Sequence, residues 1–374
     1  MPIYPARIAL VVALLVSLHA GAPTATHVIF YVALGVLLAI STRRPVGFAT
    51  ILVLLIGGLV IRLAWSDRIG SDTLYVTKAA IDRVLVGLNP YGYHYEASSP
   101  PGAPFPYGPL AILLYMPFHQ VASFLELLSG ATVATVLAVQ GRLVGLAVYA
   151  AAPIVVAVST DGSNDTTLGL LILAAFMAGR RWPALGGFLL ACAVAFKLSA
   201  LAFVPGFLAW AGGRVAVAFL AGSLIAWAPV LSTWGIRSFI DSVSRANALS
   251  PAVIWSLGTV VKELTGQRLE ILDTLRLAFG GVIALLGLRL RSSMNRVILV
   301  GCAVYLVTLY GGNWATYAYF GGIAPIICWR LDEWLGLESR SVPDRLRELR
   351  RNLAAKGAAK AAVETEVEAR AASA

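Results

Sequence analysis

The sequence predicts an all-α fold, a polytopic transmembrane bundle of about 11–13 helices, several of them short, with a large first outer loop. Three observations carry this expectation. The 374 residues are 59% hydrophobic and only 13% charged, against roughly 25% charged in an ordinary soluble domain. Mean hydropathy is +0.80. Apolar runs recur along nearly the whole chain without strand-like alternation, and in lipid only helices and closed barrels satisfy their own backbone polar groups. Length alone would allow about two soluble domains, but the recurrence favours one bundle, residues 1–331, followed by a polar tail, residues 332–374.

A helix needs about 20 apolar residues to cross the hydrocarbon. Candidate spans fall at 6–20, 28–42, 46–65, 109–127, 131–158, 166–180, 183–196, 198–211, 215–231, 271–290, 297–311 and 315–331. The first has the look of a signal peptide, with Arg7 before an apolar stretch that ends near Ala20-Gly21-Ala22, yet a second span follows directly, which favours an uncleaved first helix. Spans such as 183–196 and 198–211 are short, as helices lining a cavity are. Glycine pairs at Gly57-Gly58, Gly186-Gly187 and Gly280-Gly281 read as close helix contacts. Beyond Arg330 the composition turns to Arg, Lys, Glu and Ala, a cytoplasmic tail that is partly helical at best.

Basic residues at short loops set orientation. Arg43-Arg44, Arg180-Arg181, Arg214, and Arg289, Arg291 and Arg296 fall at alternate turns, which makes those turns and both termini cytoplasmic. Residues 66–108, the Ser159–Asp165 turn, Lys197, the 232–270 segment and the Gly311–Trp314 turn then share the outer face of the cytoplasmic membrane. Arg68, Lys78, Arg83, Arg237, Arg245, Lys262 and Arg268 also fall on that side and are candidates for anion binding. The net charge of +10 is spread over span ends instead of one stripe, which argues against nucleic acid as a partner and for membrane lipids. Cys192, Cys302 and Cys328 sit inside apolar runs with no paired motif, so buried thiols are expected and no metal.

Chemistry is expected in the polar, aromatic segment Trp65–Gly108. Residues 73–87 have helical spacing, with Leu74, Ala80 or Ile81, Val84, Leu85 and Leu88 on or near one face, an amphipathic helix lying along the membrane surface. Asp72 stands at its N-terminal boundary, where a carboxylate caps free amides and favours the helix dipole; the second reading makes it a general base. Asp67, next to Arg68, reads as an interfacial ion pair. An ionisable side chain amid apolar spans is expensive, so Lys197 is either an anion contact or a snorkelling lysine. Asp165 or Ser163 reads first as a helix cap.

Further motifs give these residues a family likeness. Asp72, Tyr75, Ala79, Gly87, the turn Asn89-Pro90-Tyr91, and Pro104-Phe105-Pro106-Tyr107-Gly108-Pro109 entering the next apolar run stand in an order that resembles membrane glycosyltransferases of GT-C fold. The nearest resemblance is to the polyprenol-phosphate-mannose-dependent mannosyltransferases of glycosyltransferase family 87. Ala195-Phe196-Lys197-Leu198, with Pro205 beyond, looks like that family's lysine segment. One departure stands out: where the family's late outer turn often carries a histidine, this chain has Gly312-Asn313-Trp314-Ala315-Thr316-Tyr317. Asparagine there hydrogen-bonds but does not relay a proton.

The resemblance, covering roughly residues 50–330, implies an inverting transferase that moves a sugar, mannose first among the choices, from a polyprenyl phosphate donor to a lipid or glycan acceptor. It requires no soluble cofactor. Asp72 would be the base, and Lys197, with Arg62 and Arg68, would meet the donor phosphate. Tyr75, Tyr91, Tyr107, Asp161, Asn164, Asp165, Asn313, Trp314 and Tyr317 would contact sugar or acceptor, the aromatics by stacking on sugar faces or else as an interfacial belt. Two other readings compete: a transporter or flippase, consistent with short spans and a lysine among them, and a non-catalytic scaffold of the same fold.

Overall fold

The computed structural model describes residues 48–66, 71–249, 255–290, 293–313 and 315–336, together with the isolated positions 32, 36 and 354. The spans expected at 6–20 and 28–42 (positions 32 and 36 apart), Asp67, Arg68, Trp314 and the tail from 337 onward (Ala354 apart) lie outside the described residues. Among the described residues every regular element is helical, and an isolated antiparallel bridge joins Tyr95 and Ala103.

Among the described residues two helical stretches, Gly213–Trp234 and Ile271–Leu290, are long and apolar enough to cross a membrane. Pro109–Phe118 and Ser123–Val139 form a third only if taken together, and they are bent by 99°. Between its polar ends, where Arg214, Ser232 and Thr233 are exposed, the first stretch exposes the apolar side chains Val217, Leu220, Leu224 and Ile225, as a lipid-facing surface requires. Other apolar helices are shorter, among them Asp165–Ala178, Pro183–Phe196 and Met294–Tyr310. The continuous span expected at 131–158 is instead divided. A helix over Ser123–Val139 ends at a turn through Gly141, which has φ +67°. Leu143–Ala151 follows, and Pro153 opens a separate short helix, Pro153–Val158, since proline has no N–H to continue the ladder. Short, broken helices thus replace several full-length columns.

Small residues let the bundle close. A Cβ on Gly187 would lie 2.3 Å from the Val215 carbonyl oxygen, and one on Gly145 only 1.9 Å from that of Cys328, so backbones touch where a side chain would hold them apart. Asp332 accepts the amides of Val144 at 3.2 Å and Gly145 at 2.9 Å, capping the Leu143–Ala151 helix from across the bundle. The helix Phe320–Trp334 therefore belongs to the bundle three residues past the expected tail boundary at 331. All three cysteines are free and buried.

Glu126 is a buried carboxylate that sequence reasoning did not single out. It accepts hydrogen bonds from the Tyr115 hydroxyl, the Thr167 hydroxyl and, at 3.1 Å, the Thr167 amide. The last is an otherwise unpaired N–H in the first turn of Asp165–Ala178. Glu126 thereby fixes the helix start that carries Asp165, and losing it would strand the Tyr115 hydroxyl and the Thr167 amide.

The amphipathic helix is Thr73–Leu85. It buries Thr73, Leu74, Val76, Thr77, Ala80 and Ile81, whereas Leu85 and Leu88, expected on that face, are exposed. The cause is an anchor at one end. Ser71 N donates to Asp161 O at 2.7 Å and Leu74 N to Gly162 O at 3.1 Å, so the first turns dock and the last turn leaves the surface. The segment expected as an outer loop, 232–270, contains two further amphipathic helices, Ile236–Leu249 and Leu257–Thr265.

Candidate active site

Three backbone attachments assemble one cavity. The first is the Ser71 and Leu74 anchor, which brings Asp72 against the Ser159–Asp165 turn. The second is Gly108, whose N–H donates to Phe196 O at 3.1 Å and whose Cβ, if present, would stand 2.0 Å from the Ala195 oxygen. Only glycine lets the Tyr107 loop lie this close to Lys197. The third is the Asn89-Pro90-Tyr91 turn. Asn89 Oδ1 accepts the Tyr91 amide at 2.9 Å, its Nδ2 donates to Trp234 O at 2.6 Å, and Gly92 N donates to Ser242 Oγ at 2.7 Å. Those bonds draw the helix Ile236–Leu249 onto the loop.

The result is a cavity of about 230 Å³. Its polar wall includes Asp72, Thr73, Ser98, Ser99, Tyr107, Lys197 and Tyr319, and its apolar wall includes Val76, Leu198, Val243, Ala246 and Leu309. Asp72 and Lys197, 125 residues apart in the chain by their numbers (197 − 72), thus face one space.

Asp72 does not cap its helix. The residue has helical φ −77° and ψ −10° and makes no side-chain bond to the following amides; Ser71 Oγ accepts the Thr73 amide instead, at 3.3 Å. The carboxylate accepts the Ser99 amide at 2.5 Å. Burial pushes its pKa above the ordinary aspartate value, and the Ser99 amide, by bonding the charged form, partly opposes that rise. A carboxyl so placed holds a proton more readily than an exposed one, as a general base needs.

Lys197 ends the helix Pro183–Phe196 in extended backbone, φ −151° and ψ 125°. Its Nζ bonds both Asp165 oxygens, at 2.8 and 2.9 Å, and Asn164 Oδ1 at 3.0 Å. It also lies over the rings of Tyr107 and Tyr319, at 5.3 and 5.1 Å from their centroids. This is a lysine held inward by a buried carboxylate, not one snorkelling to an interface. The Tyr107 hydroxyl pairs with Thr73 Oγ1 at 2.8 Å, and burial drives its pKa upward, so it stays a neutral donor.

Asp165 and Asn164 stand directly behind Lys197. Asp161 is also buried: its Oδ1 accepts the Ser163 amide at 2.9 Å, burial raises its pKa, and the Tyr317 side chain lies beside it. Of the described site residues expected from the sequence, Asp72, Tyr107 and Lys197 line the cavity, while Asp161, Asn164, Asp165 and Tyr317 do not, and Arg62, Tyr75, Tyr91 and Asn313 serve elsewhere. Arg62 is enclosed in the bundle and donates to Ser159 Oγ at 2.9 Å, Gly58 O at 3.1 Å and Tyr149 O at 2.6 Å; its place on the inner face of Phe48–Trp65 makes it a tie between helices and removes it from the phosphate set. Tyr75 projects outward from the amphipathic helix, 50% exposed. Tyr91 is buried among Phe105, Trp234 and Phe239, and its hydroxyl donates to Tyr107 O at 3.1 Å, which makes it support for the loop. Asn313 donates from Nδ2 to Asp273 at 2.8 Å and to Leu269 O at 3.1 Å, locking the late turn to the neighbouring helix. Arg68 and Trp314 are outside the described residues.

Sequence reasoning missed Tyr319, Ser98, Ser99 and the wall from Ile236–Leu249. Tyr319 alone had a local signal, being the second aromatic of Tyr317-Ala318-Tyr319.

Replacing Gly108 by Ala should push the Tyr107 loop off the Ala195 backbone. We expect a stability loss of about 1–3 kcal/mol from overpacking, read as a lower Tm in detergent, with a matching loss of ligand binding in the cavity. An unchanged Tm would show that the close approach is not maintained. Comparison of the chain with protein-family models, with curated proteins and with solved structures gives no match.

Proposed function

We propose that the protein is an inverting membrane glycosyltransferase that takes a sugar, mannose first among the candidates, from a polyprenyl phosphate donor and passes it to a lipid or glycan acceptor. The observation that carries this reading is the meeting of a carboxylate and a cation, Asp72 and Lys197, in one cavity with an apolar wall. The resemblance of the Asp72–Pro109 segment to GT-C enzymes supports the donor class. With the basic loops taken as cytoplasmic, the cavity opens on the outer face and both termini lie inside.

In this mechanism the acceptor hydroxyl attacks the anomeric carbon while its proton passes to Asp72. The new C–O bond forms as the bond from that carbon to the phosphate oxygen breaks, so configuration inverts and polyprenyl phosphate departs with the bonding electrons. Lys197 exchanges one of its present hydrogen bonds for a phosphate oxygen and offsets the charge that develops there. Tyr107 and Tyr319 offer ring faces and hydroxyls to the sugar, and Val243, Ala246 and Leu309 face the apolar chain. The donor brings its own leaving group, so no nucleotide-binding element is needed.

A photoreactive polyprenyl phosphate tests the reading at the level of binding. It should label peptides that contain Tyr107 and Leu198-Ser199, and excess unlabelled polyprenyl phosphate should suppress that labelling. Labelling confined to the exposed face of Gly213–Pro229 would contradict it.

A further inference from the structure

The loop beside Asp72 is built so that the Ser99 amide meets the carboxylate. Tyr95 and Ala103 form the bridge that closes it, with Tyr95 N donating to Ala103 O at 3.4 Å and Gly102 N to Tyr95 O at 2.8 Å. Ser98 Oγ fills the inside: its one O–H is shared between the carbonyl oxygens of Tyr95 at 2.6 Å and Pro100 at 2.7 Å, and the oxygen accepts the Ala103 amide at 2.8 Å. The Tyr95 hydroxyl ties the base of the loop to Pro90 O at 2.6 Å. These bonds close the loop, and the Ser99 N–H is directed at Asp72, with N 2.5 Å from Oδ2.

We propose that the backbone amide of Ser99 is a positioning group for the reaction, holding one oxygen of Asp72 so that the other faces the acceptor hydroxyl in the cavity. The inference rests on the glycosyltransferase reading for its consequence, but the contact itself does not. A carboxylate with one oxygen fixed by a charge-assisted bond loses rotational freedom, and the remaining oxygen, Oδ1, is the one left to take a proton. No side chain is involved, since the Ser99 side chain is exposed; the loop supplies geometry alone. The titratable groups that share the cavity wall with Asp72 are Tyr107, Lys197 and Tyr319, with Asp165 behind Lys197 and Asp161 beneath Ser71. The helix Ile236–Leu249 faces it with Val243 and Ala246. None of these is altered by removing one N–H.

The test compares Ser99→Ala, which keeps the amide, with Ser99→Pro and with an amide-to-ester replacement at position 99, both of which remove it. The ester retains the loop sequence should the proline variant not fold. Two readouts are taken on the full-length protein in detergent: the pH profile of sugar transfer, and the pH dependence of carbodiimide labelling of Asp72, located by mass spectrometry. A hydrogen bond to the charged form lowers a carboxyl pKa, so without the amide Asp72 holds its proton to higher pH. The acidic limb of transfer and the labelling curve should then both move to higher pH in the ester and proline variants, with transfer on that limb at least ~3-fold below Ser99→Ala. Ester and proline curves that overlay Ser99→Ala would overturn the proposal. If the wild-type protein transfers no sugar, the glycosyltransferase reading fails, while the labelling curves still decide whether the amide holds the carboxylate.

Discussion

Asp72→Asn should abolish sugar transfer while leaving the fold intact, with kcat down by about 10²–10⁴-fold. The substitution keeps the size of the side chain, and an asparagine oxygen still accepts the Ser99 amide, so the loop stays closed. What disappears is the capacity to take a proton. Because Asp72 carries no helix cap, a stability change would not follow from lost capping, and the usual structural explanation for aspartate at this position does not apply. Burial raises its pKa, and a base works only when ionised. The activity of the wild-type protein should therefore fall as pH drops through that raised pKa, beginning at higher pH than an exposed aspartate would give. A profile flat down to the ordinary aspartate range, or full activity in a folded Asn variant, would remove Asp72 from the chemistry.

Lys197→Met carries the second large effect and separates two roles. The ammonium compensates Asp165, whose side chain is only 2% exposed. Taking it away leaves a buried carboxylate with no opposite charge within hydrogen-bond range, at a cost of about 3–5 kcal/mol. A single variant would thus lose activity by unfolding as readily as by losing the phosphate contact. Pairing it with Asp165→Asn removes the stranded charge. The double variant should recover most of the Tm lost by Lys197→Met yet remain at least ~10²-fold slower than wild type, with weaker binding of the polyprenyl phosphate donor. A double variant that folds and uses donor at the wild-type KM would confine Lys197 to a structural ion pair.

How far the sequence revealed this architecture depended on how local each signal was. The helix Pro183–Phe196 has the same bounds as the expected span, because proline opens it and the polar Lys197 closes it. Thr73–Leu85 was legible from its spacing, though not its exposed last turn, which follows from hydrogen bonds to Asp161 and Gly162 far along the chain. The helices within 232–270 were hidden because amphipathic helices carry enough polar residues to resemble loop. Asp72 and Lys197 stood out as charges beside apolar runs. Ser99 did not, since what matters there is an amide, which every residue but proline has. Glu126 was unreadable for a similar reason: a carboxylate inside an apolar run signals cost, but its partners Tyr115 and Thr167 come from other helices. Arg62 and Asn313 show the reverse error, in which a polar residue near the right boundary serves packing between helices.

Transfer itself is the most direct measurement. Purified protein in liposomes, given a radiolabelled polyprenyl phosphate mannose and a membrane extract as acceptor source, should form a labelled product of inverted anomeric configuration, and the Asp72→Asn protein should form none. A donor that is bound but returned unchanged, moved across the bilayer without loss of its sugar, would contradict the account and assign the cavity to transport.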